Sequence, residues 1–399
     1  MVVRDTQSKE SDRELGVGLD VQEGAQVEVS HALFERNRDA GVIAFHTGTT
    51  LNLADVVIRD TQSQESDSQG GYGLHAQKGA HVEVSRAVFE RNRQDGMVAA
   101  DAGTAMILTD VIVRDTQSQE SDGWWGFGLY VKDGAHIEVS RALVEQNRVA
   151  GVVATGAGTI LNLTDVIVRG TQSQESDRQW GRGLEVSDGA HVEVSRALFE
   201  RNRELGVLAT NAVTTLNLSD VVVRNTQSRE SDRQRGRGLE ASDGARVEVR
   251  RALFDRNREI GVFAGIAGTI LGLTDVVVSE TFEKDCARDT CAGLGVGTGV
   301  ASVAEAHVEM TRFLVSKSAL CGLQLARGGF YNEQGELVHY EFGGTMDLHD
   351  GEVSHNPIGV NVQTEDFDLH RLQDNVIYKD NGRNLDMSEL PVPDMGIEI

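Results

Sequence analysis

Proline is nearly missing from this chain: 3 in 399 residues, at Pro357, Pro391 and Pro393. Proline removes a ladder hydrogen bond, so the long proline-free stretch before Pro357 leaves room for unbroken sheets. Apolar runs of about eighteen residues are absent too, which excludes a membrane-spanning helix. Basic residues are outnumbered, with Lys+Arg 38 against Asp+Glu 62 and a formal net charge of −24. Such a surface repels nucleic acid, anionic membranes and polyanionic glycans unless a local patch or a cation intervenes, so nucleic acid is not an expected partner. A secretory leader is lacking as well. Val2-Val3-Arg4-Asp5-Thr6 aligns with Val57-Ile58-Arg59-Asp60-Thr61, mid-repeat. The expectation is therefore an N-terminally truncated chain whose uncapped first coil offers strand edges for self-association.

What is present is repetition. Arg-Asp-Thr-Gln-Ser-x-Glu-Ser-Asp opens at Arg4, Arg59 and Arg114, with variants at Arg169 and Arg224 and a remnant at Ser279, always 55 residues apart. The halves of each unit resemble one another: Val82-Glu83-Val84-Ser85-Arg86-Ala87-Val88-Phe89 matches Met106-Ile107-Leu108-Thr109-Asp110-Val111-Ile112-Val113 in apolar placement. One repeat is thus two coils, one from Gly73 to Gly96 and a longer one from Gly96 to Gly128, the excess lying in the Gln117–Phe127 loop. Period-two segments place Val82 and Val84 inward, then after a bend Ala87 and Phe89. Gly, Asp, Asn and Ser corners suit strands. Stacked coils lie about 4.8 Å apart, and parallel crossovers favour the right-handed sense. The expected fold is an all-β, single-stranded, right-handed parallel β-helix. A propeller, which needs antiparallel blades, and a leucine-rich repeat, which needs a leucine code, fit less well.

The pattern Val82-x-Val84-x-x-Ala87-x-Phe89-x-x-Asn92-x-x-x-Gly96 and its copies resemble the right-handed parallel β-helix proteins of the pectin-lyase-like superfamily, in their bacterial-surface form. The resemblance covers about residues 2–385. It implies the fold and leaves function open, because that superfamily includes lyases, hydrolases, epimerases, adhesins and non-catalytic modules. It also implies a corner role for Asn37, Asn92, Asn147, Asn202 and Asn257. Residues 1–275 read as regular repeats, 276–385 as divergent coils and 386–399 as a tail or cap.

Candidate chemistry is sparse. His81, His136 and His191 share a column but stand about 9.6 Å apart, too far to share a metal. Glu90-Arg91-Asn92-Arg93 and its copies read as ion-pair ladders on an exposed face. Asp115, Glu120 and Asp122 offer oxygen ligands that calcium could take, and no other cofactor is expected. Asp347, Asp350 and Glu352, near His349 and His355, are the nearest approach to a catalytic cluster. Cys286 and Cys291 could close a small disulfide, which suits an exported protein, with Cys321 left over or paired with one of the two, since sequence does not decide the connectivity.

The loop tips differ most between copies. Leu15, Gly70, Trp125, Trp180 and Arg235 share one position, and Val17, Tyr72, Phe127, Arg182 and Arg237 another, with Trp124 adjoining. Tyr72, Trp124, Trp125, Phe127, Trp180, Arg182, Arg235 and Arg237 form the expected ligand edge, since aromatic faces and guanidinium forks suit sugar rings. The same side chains could instead roof the loop against the coil below. The expected function is a non-catalytic extracellular or cell-surface element that binds polysaccharide or a surface protein. A carbohydrate-active enzyme and a purely structural rod are the alternatives.

Overall fold

The computed structural model describes residues 1–285, 296–331 and 337–392. Two compact units divide the chain, Met1–Arg203 and Glu204–Ile399. In the first, ten-residue strands such as His81–Glu90, Ala105–Arg114 and His136–Glu145 alternate with shorter ones such as Tyr72–Gln77, Asp95–Ala100 and Phe127–Lys132. The long strands pair in parallel in chain order, and the short strands form a second parallel sheet in the same way. Each unit is therefore a parallel β-helix. Two coils make one 55-residue repeat, as the half-unit duplication predicts.

The long strand bends because one residue adopts the left-handed conformation. Arg86 has φ 50° and Asp110 φ 55°. That single step moves the next inward residue from two positions on to three, so Val82, Val84, Ala87 and Phe89 all lie in the core at no more than 1 % exposure. Asp tolerates this conformation. Arg does so less readily, and here it gains a partner: Arg86 Nε and Nη2 donate to the two carboxylate oxygens of Asp55 at 2.7 and 2.8 Å.

Corners are tied down by buried side chains. Asn92 Oδ1 accepts from the Thr61 amide and hydroxyl at 3.2 and 2.7 Å, while Nδ2 donates to the Ile58 carbonyl at 3.1 Å. Asn202 and Asn257 do the same for Thr171 and Thr226. The Thr104 hydroxyl donates to the Ala100 carbonyl and accepts from the Gly79 amide of the preceding coil, closing the tight turn before the next long strand.

Charged residues stack in columns that change sign at every coil. At the bend, Arg141 forks onto Asp110 and Arg196 onto Asp165, as Arg86 does onto Asp55. At the strand end, Arg59 bonds Glu35, Arg114 bonds Glu90 and Arg169 bonds Glu145. One residue further, Arg36 forks onto Asp5 and Arg91 onto Asp60. The ladders expected from Glu90-Arg91-Asn92-Arg93 exist, but not on one exposed face. Glu90 is 6 % exposed and Asn92 fully buried, because the chain turns inward at the corner.

The second unit repeats this alternation through Thr215–Arg224, Arg246–Asp255, Ile270–Ser279, His307–Ser316 and Thr345–Ser354. It adds an antiparallel hairpin of Gly329–Tyr331 with Leu337–His339 and a 3-10 turn at Leu369–Leu372. No helix among the described residues is long and apolar enough to cross a membrane.

Burying one core side chain is worth about 1.5–3 kcal/mol, several times an exposed ion pair, so the stacked core holds the coils together and the ladders tune them. Asn92→Ala, which strands the Thr61 amide and the Ile58 carbonyl, is expected to cost about 2–4 kcal/mol in urea denaturation with an unchanged m-value. Arg141→Ala in an exposed ladder is expected to leave the midpoint almost unmoved.

The ladders also add a dependence on acid. Hydrogen bonds from Arg86, Arg141, Arg196 and Arg312 hold Asp55, Asp110, Asp165 and Asp275 below the usual carboxylate range. A depressed pKa stabilises above the unfolded-state value, near pH 3.9, and this contribution is lost as pH falls through the folded value. Melting temperature is thus expected to drop below about pH 4, which a pH series of thermal melts would read.

Candidate functional site

Each long loop of the first unit folds on itself. The Gln64, Gln119 and Gln174 amides donate to the carbonyls of Gln69, Trp124 and Gln179 at 2.8, 2.9 and 3.0 Å. Successive loops also bond each other: Ser66 N to Arg13 O, Ser121 N to Ser68 O and Ser176 N to Gly123 O, at 3.0–3.3 Å. Stacking the repeats thus turns separate loops into a ridge. Asp122 spends its oxygens inside its loop, accepting from the Trp124 amide at 2.8 Å and from Gln119 Nε2 at 2.9 Å. Glu120 pairs with Arg93 at 2.9 Å, and Asp115 lies apart at the strand end with a left-handed φ of 55°. Of the three calcium candidates, two are held by neighbouring side chains. Among the described residues no group of three His, Cys, Asp or Glu could hold a metal ion.

The loop-tip residues meet the outer face of the short-strand sheet. Trp125, left-handed at φ 64°, packs edge-on to Phe127 with centroids 5.5 Å apart, and Phe127 on Tyr130 at 5.1 Å. One repeat earlier, where Gly70 replaces the tryptophan, Tyr72 lies 4.8 Å from His75 and its hydroxyl accepts from Gln94 Nε2 at 2.5 Å. One repeat later the Arg182 guanidinium sits 3.9 Å from the Trp180 ring centre and pairs with Glu185 at 2.9 Å.

In the second unit these positions are ionic. Arg235 pairs with Glu204 at 3.1 Å. Arg237, fully buried, lies 4.5 Å from the Phe263 ring centre and bonds Glu240 and Glu259 at 2.9 and 2.8 Å. Arg235 and Arg237 thus direct their donors inward, away from any outside ligand. Tyr72, Trp125, Phe127 and Trp180 are half-buried, and Arg182 is buried. Trp124 alone of the eight residues is exposed, at 54 %.

A residue that sequence reasoning missed lies beneath this roof. Asp95 begins a short strand where the other copies carry Ala40, Ala150, Leu205 and Ile260. It is 1 % exposed and accepts from the Phe127 amide at 3.3 Å. Burial pushes its carboxyl up to about 8, against the smaller opposing pull of that amide and Lys132. Burial also pushes the neighbouring His75 down to about 4. Both shifts favour the uncharged form. One acid in an otherwise apolar column was the available signal.

In the divergent coils, Asp347 takes a two-point bond from Arg371 at 2.6 and 2.8 Å, and Glu352 bonds Lys379 and Ser354 at 2.9 and 2.7 Å. These partners hold both carboxyls below the usual range, which makes them poor proton donors at neutral pH. Asp350, at a left-handed bend, accepts from Asn375 Nδ2 at 2.6 Å. His349 pairs with Asp374 at 2.8 Å and His355 with Asp380 at 3.7 Å. An open groove of about 550 Å³ brings Asp350 and Glu352 together beside Arg312 and Phe313, without Asp347. Cys286 and Cys291 lie outside the described residues. Cys321 is buried and free, its hydroxyl neighbour Thr298 Oγ1 3.4 Å away, and burial pushes its thiol up to about 12.

No protein-family model matches this chain, and no curated protein matches it.

Asp95 ties stability to pH. Its raised pKa means that the folded state holds a proton the unfolded chain releases, so stability falls as pH rises from about 4 to about 8 and is level above. Asp95→Leu, which restores the residue seen at Leu205, is expected to raise the melting temperature, and by more at about pH 9 than at about pH 5. A gain equal at both would show Asp95 ionised throughout.

Proposed function

We propose that the protein is a non-catalytic β-helix, of the pectin-lyase-like kind and displayed outside the cell, that binds glycan along the loop ridge of its first unit. The observation that carries this reading is Trp124. It stands exposed on the ridge where other copies have Glu14, Gln69, Gln179 and Gln234, beside the packed Trp125 and Phe127. A large aromatic face costs free energy in water and is recovered by stacking on the apolar face of a sugar ring. The ridge is fixed by inter-loop hydrogen bonds, so little ordering would be lost on binding. The exposed hydroxyl of Ser121, three residues before Trp124, suits the hydroxyl groups of a sugar.

The enzymatic reading has less support. Asp347 and Glu352 are neutralised by Arg371 and Lys379, and the groove that holds Glu352 does not include Asp347.

The test is retention of the purified chain on neutral and acidic polysaccharides, with and without calcium, while new chain ends are followed. Retention without cleavage is expected, and Trp124→Ala is expected to weaken it about tenfold or more, the size of one lost stacking contact. Release of new ends, or retention indifferent to Trp124, would overturn the reading.

A further inference from the structure

In the second unit, the outer face of the short-strand sheet changes chemistry towards its last coils. The outward position that runs Leu208, Glu240, Phe263 and Ala301 holds Gln324 and then Asn361 in Cys321–Ala326 and Ile358–Val362, two carboxamides in succession and both fully buried. Gln363 follows two residues on. A buried carboxamide is costly unless bonded, so each needs a polar partner. All three find it in main chain. Gln324 Nε2 donates to the Pro391 carbonyl at 3.0 Å, Asn361 Nδ2 to the Ser388 carbonyl at 3.0 Å, and Gln363 Nε2 to the Leu390 carbonyl at 3.2 Å. Thr298 Oγ1 and Asn361 Oδ1 orient the amides of Gln324 and Gln363.

The segment bound this way is a strap of the same chain. It leaves the strand Arg383–Asp386 through a turn in which Asp386 accepts from the Ser388 amide and hydroxyl, and it crosses back over the sheet. Its first side chains face solvent, and its last ones pack on the sheet. Met387 is 64 % exposed, Ser388 and Glu389 are exposed, and Val392 packs against the cluster of Ile260, Phe263, Val303 and Ala326. A groove of about 280 Å³ separates the strap from Arg327 and Gly328.

We propose that Gln324, Asn361 and Gln363 form a receptor for an extended peptide main chain, filled in cis by Ser388–Val392 and able to take the same segment from a second copy. Recognition through carbonyls is independent of side-chain identity, as in strand addition to a sheet edge. A second copy offers the same carbonyl spacing together with Leu390 and Val392. Exchange replaces each cis bond with an identical one in trans, the low-cost route by which equal segments swap.

The test uses the full chain and a fluorescein-labelled peptide of residues 386–399, read by fluorescence anisotropy. The wild-type chain is expected to bind weakly, because its own strap competes. The double variant Leu390→Asp with Val392→Asp loosens that strap while leaving the receptor whole, and is expected to bind about tenfold tighter, the worth of roughly 1.4 kcal/mol. Adding Gln324→Leu and Asn361→Leu is expected to remove that gain, since two of the three hydrogen bonds to the peptide carbonyls are lost. Gln363→Ala, at a half-buried site, gives a milder loss and serves if the leucine variant does not fold. Equal affinity for wild type and strap variant, or binding that survives Gln363→Ala undiminished, would overturn the proposal.

Discussion

Every residue of a stacked coil has its equivalent in the next coil for a neighbour, about 4.8 Å away. That one constraint decides most of the chemistry of this chain. Apolar residues gain from standing on their own kind, and Phe34, Phe89 and Phe199 recur at one core position in the first unit, as Phe254 does in the second. Asparagine can stand over threonine and satisfy it, as Asn92 does for Thr61. A charged residue cannot stand on its like without repulsion, so a charged column must alternate. With Asp55, Arg86, Asp110 and Arg141 at the bend, and Glu35, Arg59, Glu90 and Arg114 at the strand end, the smallest unit that repeats without collision is two coils. This accounts for a 55-residue repeat whose halves resemble each other in apolar pattern and oppose each other in charge.

The same stacking shapes the loops. A loop placed every second coil meets its copies at twice the coil spacing, close enough for bonds such as Ser121 N to Ser68 O. Beneath them the outer sheet face must be covered, and the copies solve this differently. Trp125 roofs Phe127 and Tyr130, Trp180 stacks on Arg182, and Arg237 is clamped by Glu240 and Glu259. Towards the last coils the strap takes over this task through carboxamides. Where a roof is complete the side chains serve packing. Trp124 stands outside it, exposed to solvent.

The fold was legible because its signals are local and repeated. Val82, Val84, Ala87 and Phe89 point inward as the period-two pattern implies, and the extra length of the second coil falls in the loop after Arg114. The site was legible only in part. Arg237 reads as an exposed loop-edge cation because its partners, Glu240 three residues on and Glu259 in the next coil, matter only once the coils are stacked. Asp95 was visible as a single acid among Ala40, Ala150, Leu205 and Ile260, but its burial depends on the loop that follows it. The charge alternation was likewise written in Arg86 against Asp110, and takes its meaning from a vertical neighbour that a linear reading does not supply.

The most direct test of this account is thermal unfolding of a variant that carries Arg86→Asp, Glu90→Arg and Arg91→Asp, at low and at high salt. These changes give one coil the charges of its neighbours in all three columns and leave the apolar core untouched. The account requires a lower melting temperature at low salt that recovers in part at high salt, as screening weakens like-charge contacts. A melting temperature equal to that of the wild type at low salt would contradict it, and would mean that charge does not set the two-coil period.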